Sequence, residues 1–268
     1  MNKTQIEWCD YSINPVKGLC PMACPYCYAR RIYKHYHWDE TIRWSGDTWL
    51  DFYCALSGRY KQPSRNIKEG ARIFVGSTME LFGPWVKPEW MTAIMQCAQE
   101  FPKHTFIFLT KQPQNLANWS PFPKNCWVGF SATDAEDLER RVIQFQGVEA
   151  AVRFISFEPL LGRVWRTEHW QESLGYVLKA EHFNWLIIGQ QTPFSKRTAP
   201  KVEWVREIAE AADAAKIPVF LKNKLESMQW GAEEPTWAFR DRHFKTEVDG
   251  QVIDCVRAEL RQEFPKAK

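Results

Sequence analysis

Short apolar runs alternate along the chain with longer segments that have helical periodicity. Seven of the runs have the length and composition of buried strands, and an apolar run of this kind is typical of a parallel sheet covered by helices. The predicted strands cover residues 11–16, 72–77, 105–110, 126–131, 152–157, 185–189 and 218–221.

Between the strands, apolar residues recur every three or four positions, as they do on one face of a helix. The clearest helix covers about residues 88–100, where Pro88 suits the first turn. Another begins at Thr133, which forms a T-x-x-E capping box with Glu136. Further helices are predicted over residues 28–37 and 201–215.

The alternation of strands and helices predicts an α/β fold built as a partial or full parallel (β/α) TIM-type barrel of six to seven units. A doubly wound open sheet has the same strand count and stays open as the alternative. We expect the barrel over residues 1–225, with an insertion at 38–70, and a C-terminal extension over 226–268. The extension is predicted to hold a helix and a hairpin, for which Asp249 and Gly250 suit a two-residue turn.

Composition places the chain among globular proteins outside the membrane. It has 268 residues, 45% of them hydrophobic, and a formal net charge of +3, which by itself is too weak to indicate nucleic-acid binding. No apolar stretch approaches the length of a membrane span, and the N-terminal segment lacks the apolar core of a signal peptide. Eight cysteines without an export signal favour a reducing compartment, so we expect a cytoplasmic protein with no membrane partner.

Three cysteines in the run CPMACPYC carry the strongest chemical signal. Cys20, Cys24 and Cys27 have the spacing C-x3-C-x2-C. Three thiolates can hold three corners of an iron–sulfur cluster and leave one iron open to a small molecule. The alternative is a structural zinc site with a fourth ligand such as Cys9, although no second C-x2-C pair is present. The remaining cysteines stand singly and are expected to be buried or inert: Cys9, Cys54, Cys97, Cys126 and Cys255.

The cysteine motif resembles that of the radical S-adenosylmethionine (SAM) superfamily. The resemblance implies a 4Fe-4S cluster held by the three cysteines, with SAM bound at the open iron and cleaved to a 5′-deoxyadenosyl radical. It also implies an external electron donor of the flavodoxin or ferredoxin type. Tyr26 matches the aromatic position that lies near the adenine in this superfamily.

Polar side chains follow the predicted strands, where the chemistry of a parallel barrel takes place. Glu158 is expected to accept hydrogen bonds from a ribose or an amino group, and Lys111 and Lys222 are expected to hold a carboxylate or a phosphate. These three residues are the candidate catalytic residues. The alternative is that polar residues simply end strands and begin turns. The residues expected to bind the cofactor are Tyr26, Ser77, Thr78, Glu80, Ser131, Glu158, Gly189 and Gln190.

A second resemblance covers most of the chain, from about residue 4 to residue 225. The segments IEWCDYSINPVKG, LTKQP, ISFEPLLG, WLIIG and FLKN are similar to a phage and prophage family that has a three-cysteine motif and is regarded as radical SAM-like. It was formerly known as a domain of unknown function. The chain departs from the family pattern at Cys9, Gln190, Gln191 and Asn223.

A phage setting implies a modified DNA base or a nucleotide as the substrate, with hypermodification of DNA or isomerisation of a base substituent as the reaction. A base in a duplex would have to flip out to reach the barrel. The alternatives are radical SAM chemistry on a peptide or small metabolite, and a non-catalytic zinc-bound nucleic-acid-binding protein.

Basic residues cluster in three places, which form either a solvated surface or a groove that follows phosphates. The clusters are Arg30, Arg31, Lys34, His35 and His37; Arg59, Lys61, Arg65, Lys68 and Arg72; and Lys196, Arg197 and Lys201.

Overall fold

Seven parallel strands follow one another across the main sheet in chain order. The computed structural model, which describes residues 2–165, 170–228, 236–248 and 251–266, curls this sheet into half a barrel. Its strands are β1 (Asn2–Lys3), β2 (Tyr11–Ile13), β3 (Val16–Lys17), β4 (Arg43–Trp44), β5 (Arg72–Val75), β6 (Thr105–Thr110), β7 (Cys126–Ser131), β8 (Val152–Phe157), β9 (Trp185–Ile188), β10 (Val219–Leu221), β11 (Phe239–Val248) and β12 (Gln251–Leu260).

Helices cover the outer face of the sheet. They are α1 (Tyr28–Tyr36), α2 (Gly46–Leu56), α3 (Pro88–Glu100), α4 (Ala135–Phe145), α5 (Trp170–Ala180) and α6 (Val202–Ala215), with short 3-10 helices at Pro63–Arg65, Pro113–Trp119, Lys196–Thr198 and Asn223–Ser227. Within the described residues, no helix has the length and apolar character needed to cross a membrane.

The strand order decides between the two predicted architectures. Each parallel strand pairs with the next one, from β2 to β5 and then in sequence to β10, while β1 pairs antiparallel at the edge. A doubly wound sheet would reverse its order part-way across. The predicted partial barrel is therefore confirmed, and the carboxyl ends of all seven strands open on the same side.

Aromatic side chains fill one end of the concave face. Trp8, from the segment before β2, packs 4.7 Å from Phe74 and 6.3 Å from Trp185, measured between ring centroids. Trp185 also contacts Trp127 at 5.5 Å and Phe264, near the other end of the chain, at 5.6 Å. Both ends of the chain therefore contribute to the interior of the half-barrel.

Towards the carboxyl ends of the strands, the inward positions become small or polar. Alternate residues of a strand share a face, so β7 presents Trp127, Gly129 and Ser131 in turn and β8 presents Phe154 and Ser156. This change of side-chain size along each strand leaves open space above the aromatic floor.

Helix α4 begins later than its capping box predicts. Its N-cap is Asp134, whose carboxylate accepts the backbone N–H of Asp137 at 3.0 Å. Thr133 instead donates its hydroxyl to the Asp137 carboxylate at 3.0 Å, so the predicted box with Glu136 is wrong. A carboxylate at this position satisfies an unpaired N–H and also complements the helix dipole.

The insertion and the tail have their own structure. The insertion contains β4, which pairs with β3, and α2, which buries Phe52 in the core. In the tail, β11 and β12 pair antiparallel as far as Val248 opposite Gln251, and the predicted turn at 249–250 lies outside the described residues. Residues 236–248 and 251–266 contain no α-helix, and the helix predicted for the extension stays a prediction.

The chain after β12 covers the free edge of β10. The Leu221 N–H donates to the Arg261 carbonyl at 2.8 Å, and the Glu263 N–H donates to the Val219 carbonyl at 3.0 Å. These bonds satisfy backbone groups that an open half-barrel would otherwise leave exposed at its edge.

Candidate active site

A cavity of about 570 Å³ opens at the carboxyl ends of the parallel strands. Its volume lies in the range of pockets that hold small-molecule ligands and cofactors. Every site residue predicted from the sequence lines the cavity except Gly189. Those in the lining are Cys20, Cys24, Tyr26, Cys27, Ser77, Thr78, Glu80, Lys111, Ser131, Glu158, Gln190 and Lys222.

Gly189 lies behind the wall of the cavity and makes room for two of its side chains. A Cβ atom at this position would lie 2.9 Å from Cδ of Lys222 and 3.1 Å from the side chain of Glu158. The missing side chain therefore lets these two residues pack against the end of β9.

The cysteine loop crosses the cavity mouth between β3 and α1. All three thiols are half-buried, and none forms a disulfide. The guanidinium of Arg30 donates to the Cys20 carbonyl at 2.9 Å, and the Cys27 N–H donates to the Cys24 carbonyl at 3.0 Å. These bonds fix the backbone of the loop and leave its thiols available to a ligand.

The donor set fits an iron–sulfur cluster. Burial raises the pKa of the Cys20 thiol, while the backbone N–H groups of Glu80 and Met22 act in the opposite direction by stabilising the thiolate. Among the described residues, no three Cys, His, Asp or Glu side chains form a group that could hold one metal ion. The thiolates of a 4Fe-4S cluster bind different iron atoms, so they need not converge on a single point.

Lys222 is enclosed by two carboxylates. Its Nζ lies 2.5 Å from Oε1 of Glu158 and 3.4 Å from Oε2 of Glu7. Burial alone lowers the pKa of Lys222, but the two carboxylates outweigh burial and the net change is upward. The charge of Lys222 is therefore already compensated inside the protein, while its predicted role in holding a ligand anion stays a prediction.

Lys111 has a different environment on the opposite wall. Its Nζ lies 3.3 Å from Oγ of Ser131 and 5.9 Å from the centroid of the Tyr26 ring. No carboxylate in the described part of the chain lies within ion-pair distance of this ammonium group. Lys111 is therefore able to pair with an anionic group of a ligand.

Glu80 uses its carboxylate inside the protein. It accepts the Thr110 hydroxyl at 2.6 Å, the Lys111 N–H at 2.7 Å and the Phe82 N–H at 3.1 Å. These bonds tie the loop after β5 to the end of β6, so Glu80 shapes the cavity wall and holds the backbone of Lys111.

Three further residues shape the site and were missed by sequence reasoning. Besides Glu7, these are Asn14, which donates to the Ser77 hydroxyl at 3.0 Å and accepts the Thr78 N–H at 3.0 Å, and Tyr28, which donates to the Ser77 carbonyl at 2.8 Å. Asn14 precedes the proline that divides the first predicted strand into β2 and β3, and this break was the available signal.

A buried ion pair supports the β7 side of the cavity. Nη2 of Arg141 lies 3.0 Å from the Asp137 carboxylate, and Nη1 donates to the Ser131 carbonyl. Burial raises the pKa of Asp137, but Arg141 and the other donors around the carboxylate outweigh burial and hold it below its usual value. Arg141 thus fixes the backbone of the residue that contacts Lys111.

The family model described as "Protein of unknown function (DUF5131)" matches residues 3–257. The chain belongs to the DUF5131 family. No curated protein matches the sequence.

Solved structures show what this DUF5131 fold is similar to. Spore photoproduct lyase complexed with dinucleoside spore photoproduct superposes with a TM-score of 0.50 and 14% identity, over 79% of this chain and 63% of that one. A mutant of the same lyase with dinucleoside spore photoproduct superposes with a TM-score of 0.49 and 13% identity, over 97% of this chain and 70% of that one. The chain thus spans less than two thirds of the first structure's length, and the similarity is one of fold.

Four single cysteines of this DUF5131 member, Cys9, Cys54, Cys97 and Cys126, are not among the residues that line the cavity. Cys9, Cys97 and Cys126 are buried, and burial raises the pKa of each thiol to about 12. Cys54 is half-buried in α2, and the side chain of Cys255 lies outside the described residues. Thiols that are fully buried in apolar surroundings, where no ligand reaches them, are inert.

Proposed function

We propose that this protein is a radical SAM enzyme that acts on a nucleic-acid base or a nucleotide. The observation that carries the proposal is that one cavity is lined both by the cysteine loop and by the polar ends of the parallel strands. Cys20, Cys24 and Cys27 would hold the 4Fe-4S cluster. When bound, the cluster and SAM supply a 5′-deoxyadenosyl radical, which removes a hydrogen atom from a substrate.

The cavity walls bind and orient the reactants in this proposal. The Glu158 carboxylate, held by Lys222, accepts hydrogen bonds from hydroxyl or amino groups, and Lys111 pairs with a carboxylate or phosphate. Trp8 and Phe74 form part of the apolar lining. This apolar surface excludes water from the side of the cavity where a reactive species would be exposed.

A nucleic-acid substrate has two lines of support. The partial barrel resembles that of spore photoproduct lyase, whose structure contains a dinucleoside, and Lys111 offers an uncompensated positive charge inside the cavity. Phage DNA hypermodification or isomerisation of a base substituent is the specific reaction that we propose. A flavodoxin- or ferredoxin-type protein would supply the electron.

Release of 5′-deoxyadenosine tests the proposal. The anaerobically reconstituted protein, given SAM and a reductant, should release it faster when modified phage DNA or its nucleotides are present. Release stimulated by peptides or small metabolites but not by nucleotides would favour the alternative substrate class. No release under any condition, together with bound zinc, would favour the non-catalytic alternative.

Replacing Glu158 by Gln keeps the size of the side chain and removes its charge. A hydrogen bond to a charged group is stronger than a neutral one, so we expect SAM or substrate to bind roughly tenfold more weakly. Glu89→Gln, on the exposed first turn of α3, is the matched control. Equal affinity of the Glu158→Gln protein and the control for both SAM and substrate would remove Glu158 from the site.

A further inference from the structure

A stripe of exposed basic side chains runs along α1 from the rim of the cavity. Tyr28 lines the cavity, and Tyr28, Arg31 and His35 lie on one helix face because they are three and four residues apart. Lys34 lies beside them and is exposed. Helix α1 contains no acidic residue, and no carboxylate of the described chain pairs with Arg31 or Lys34.

Two exposed aromatic rings lie at the C-terminal end of the helix, where Tyr36 is its last residue and Trp38 follows two positions later. Tyr36 is 61% exposed and Trp38 is 51% exposed. Their rings stack with centroids 5.6 Å apart and an interplanar angle of 23°. Exposed aromatic rings offer faces on which nucleic-acid bases can stack without regard to sequence.

The aromatic pair is fixed beside the cysteine loop. Trp38 packs edge-on against the buried Tyr33 at 5.4 Å, and the Tyr33 hydroxyl accepts the Gly18 N–H at 2.9 Å. The Leu19 N–H donates to the Glu40 carbonyl at 2.9 Å. The segment that carries Trp38 therefore returns to the start of the cysteine loop, next to the cavity.

The surroundings of this stripe distinguish it from the other basic clusters. In the insertion, Arg65 pairs with Asp51 at 2.8 Å, and this carboxylate reduces the net charge of the basic cluster there. Next to the stripe, the Asp39 carboxylate pairs with Arg43 at 2.5 Å, which reduces its effect on the charges of α1. The cluster that follows β9 has no stacked aromatic pair among the described residues.

We infer that the α1 stripe, made of Tyr28, Arg31, Lys34, His35, Tyr36 and Trp38, binds the nucleic-acid strand that flanks the base in the cavity. This inference rests on the proposed function. Helix α1 has nine residues and is about 13.5 Å long at ~1.5 Å per residue, which is the length of about four stacked nucleotides at ~3.4 Å each. The basic side chains contact phosphates, and the Tyr36–Trp38 pair stacks on a base.

Fluorescence anisotropy with a labelled single-stranded DNA of about 12 nucleotides tests the inference on the full-length, reconstituted protein. Arg31→Glu with Lys34→Glu should weaken binding by more than about tenfold and reduce the salt slope by about 0.7 for each lost contact. Tyr36→Ala should weaken binding by about fivefold or more without changing the slope, because it removes stacking and no charge.

The matched control reverses two charges at the other end of the barrel. Lys103 and Lys124 precede β6 and β7 and are exposed, so Lys103→Glu with Lys124→Glu makes the same change in net charge away from the cavity. The affinity of this control for the labelled DNA should stay within about twofold of the wild-type affinity at the same salt concentration.

The inference would be overturned if the two double variants lost the same affinity for the DNA. It would also be overturned if the salt slope of the Arg31→Glu, Lys34→Glu protein equalled that of the wild type. The binding measurement does not depend on catalysis. A protein that binds DNA through the α1 stripe but releases no 5′-deoxyadenosine would therefore retain this inference and reject the proposed function.

Discussion

At the scale of single residues, the two lysines of the cavity show how surroundings set a role. Lys222 is held between Glu158 and Glu7, whereas Lys111 has a hydroxyl and an aromatic ring as its neighbours. A buried ion pair that loses one partner leaves an uncompensated charge, and this loss costs more than the pair contributes when intact. We therefore assign positioning of Glu158 to Lys222 and pairing with a ligand anion to Lys111.

Substitution of each lysine by Met should separate these roles. Lys222→Met brings two carboxylates together without their cation, so we expect the free energy of unfolding to fall by about 3 kcal/mol at neutral pH. Lys111→Met should change it by less than about 0.5 kcal/mol and weaken binding of the anionic ligand. Chemical denaturation and ligand titration measure both effects. Equal destabilisation by the two substitutions would contradict the assignment.

The residues found from the sequence are those whose signal is local. The three cysteines lie in one short run, and Glu158 and Lys111 directly follow apolar strands. Glu7 could not be found in this way, because its partner Lys222 lies near the other end of the chain and only the barrel brings them together. The same holds for Asn14, whose partners lie after β5.

At the scale of elements, α4 supports the site through the end of β7. The Asp137–Arg141 pair connects the first turns of the helix to the Ser131 carbonyl, and the Ser131 hydroxyl contacts Lys111. Both side chains of the pair are mostly buried, with exposed fractions of 16% and 7%. Screening by water is therefore weak, and the pair contributes to stability as well as to the position of β7.

Replacement of Asp137 by Ala should give a pH-dependent loss of stability. The folded state lowers the pKa of Asp137 from 3.8, so its contribution is present above that value and is lost as the pH falls through the lowered pKa. We expect a loss of about 3 kcal/mol at neutral pH, which shrinks in acid.

Denaturant unfolding at several pH values measures this effect. Glu139→Ala, at an exposed position of the same helix, should have little effect at any pH. A loss in the Asp137→Ala protein that does not vary with pH would show that the ion pair is not its origin.

Several elements could be predicted only in part. Buried apolar strands could be recognised because their composition is decisive. Helix α2, which lies in the insertion, and helix α5 were not predicted. The start of α4 was misjudged because Thr133 and Asp134 are both good caps, and the sequence alone does not show that Asp134 accepts the helix N–H.

At the scale of the whole molecule, both ends of the chain complete an open half-barrel. Trp8 enters the concave face from the N-terminal side, and Phe264 reaches it after the tail has passed along β10. Phe264 contacts Phe220 at 5.2 Å, and the Arg72 guanidinium lies 4.0 Å from the centroid of its ring. The alternation of strands and helices predicted the barrel, but it held no information on how its open side is filled.

Replacement of Phe264 by Ala tests whether the tail stabilises the open side of the half-barrel. Phe264→Ala removes a ring from the end of the aromatic floor, and we expect a loss of about 2 kcal/mol in the free energy of unfolding because the ring is only partly buried. Phe194→Ala, at a position 55% exposed, is the control and should be close to neutral. Equal unfolding midpoints for the two variants would mean that the tail does not support the barrel.

The central claim is that Cys20, Cys24 and Cys27 hold an iron–sulfur cluster in the cavity. Iron, zinc and sulfide analysis of anaerobically reconstituted protein, together with the visible spectrum, tests it most directly. We expect about four irons and four sulfides per chain, with broad absorption that bleaches on reduction. Cys54→Ala should retain them and Cys24→Ala should lose them. About one zinc without sulfide, or equal iron in the Cys24→Ala protein and the wild type, would contradict the account.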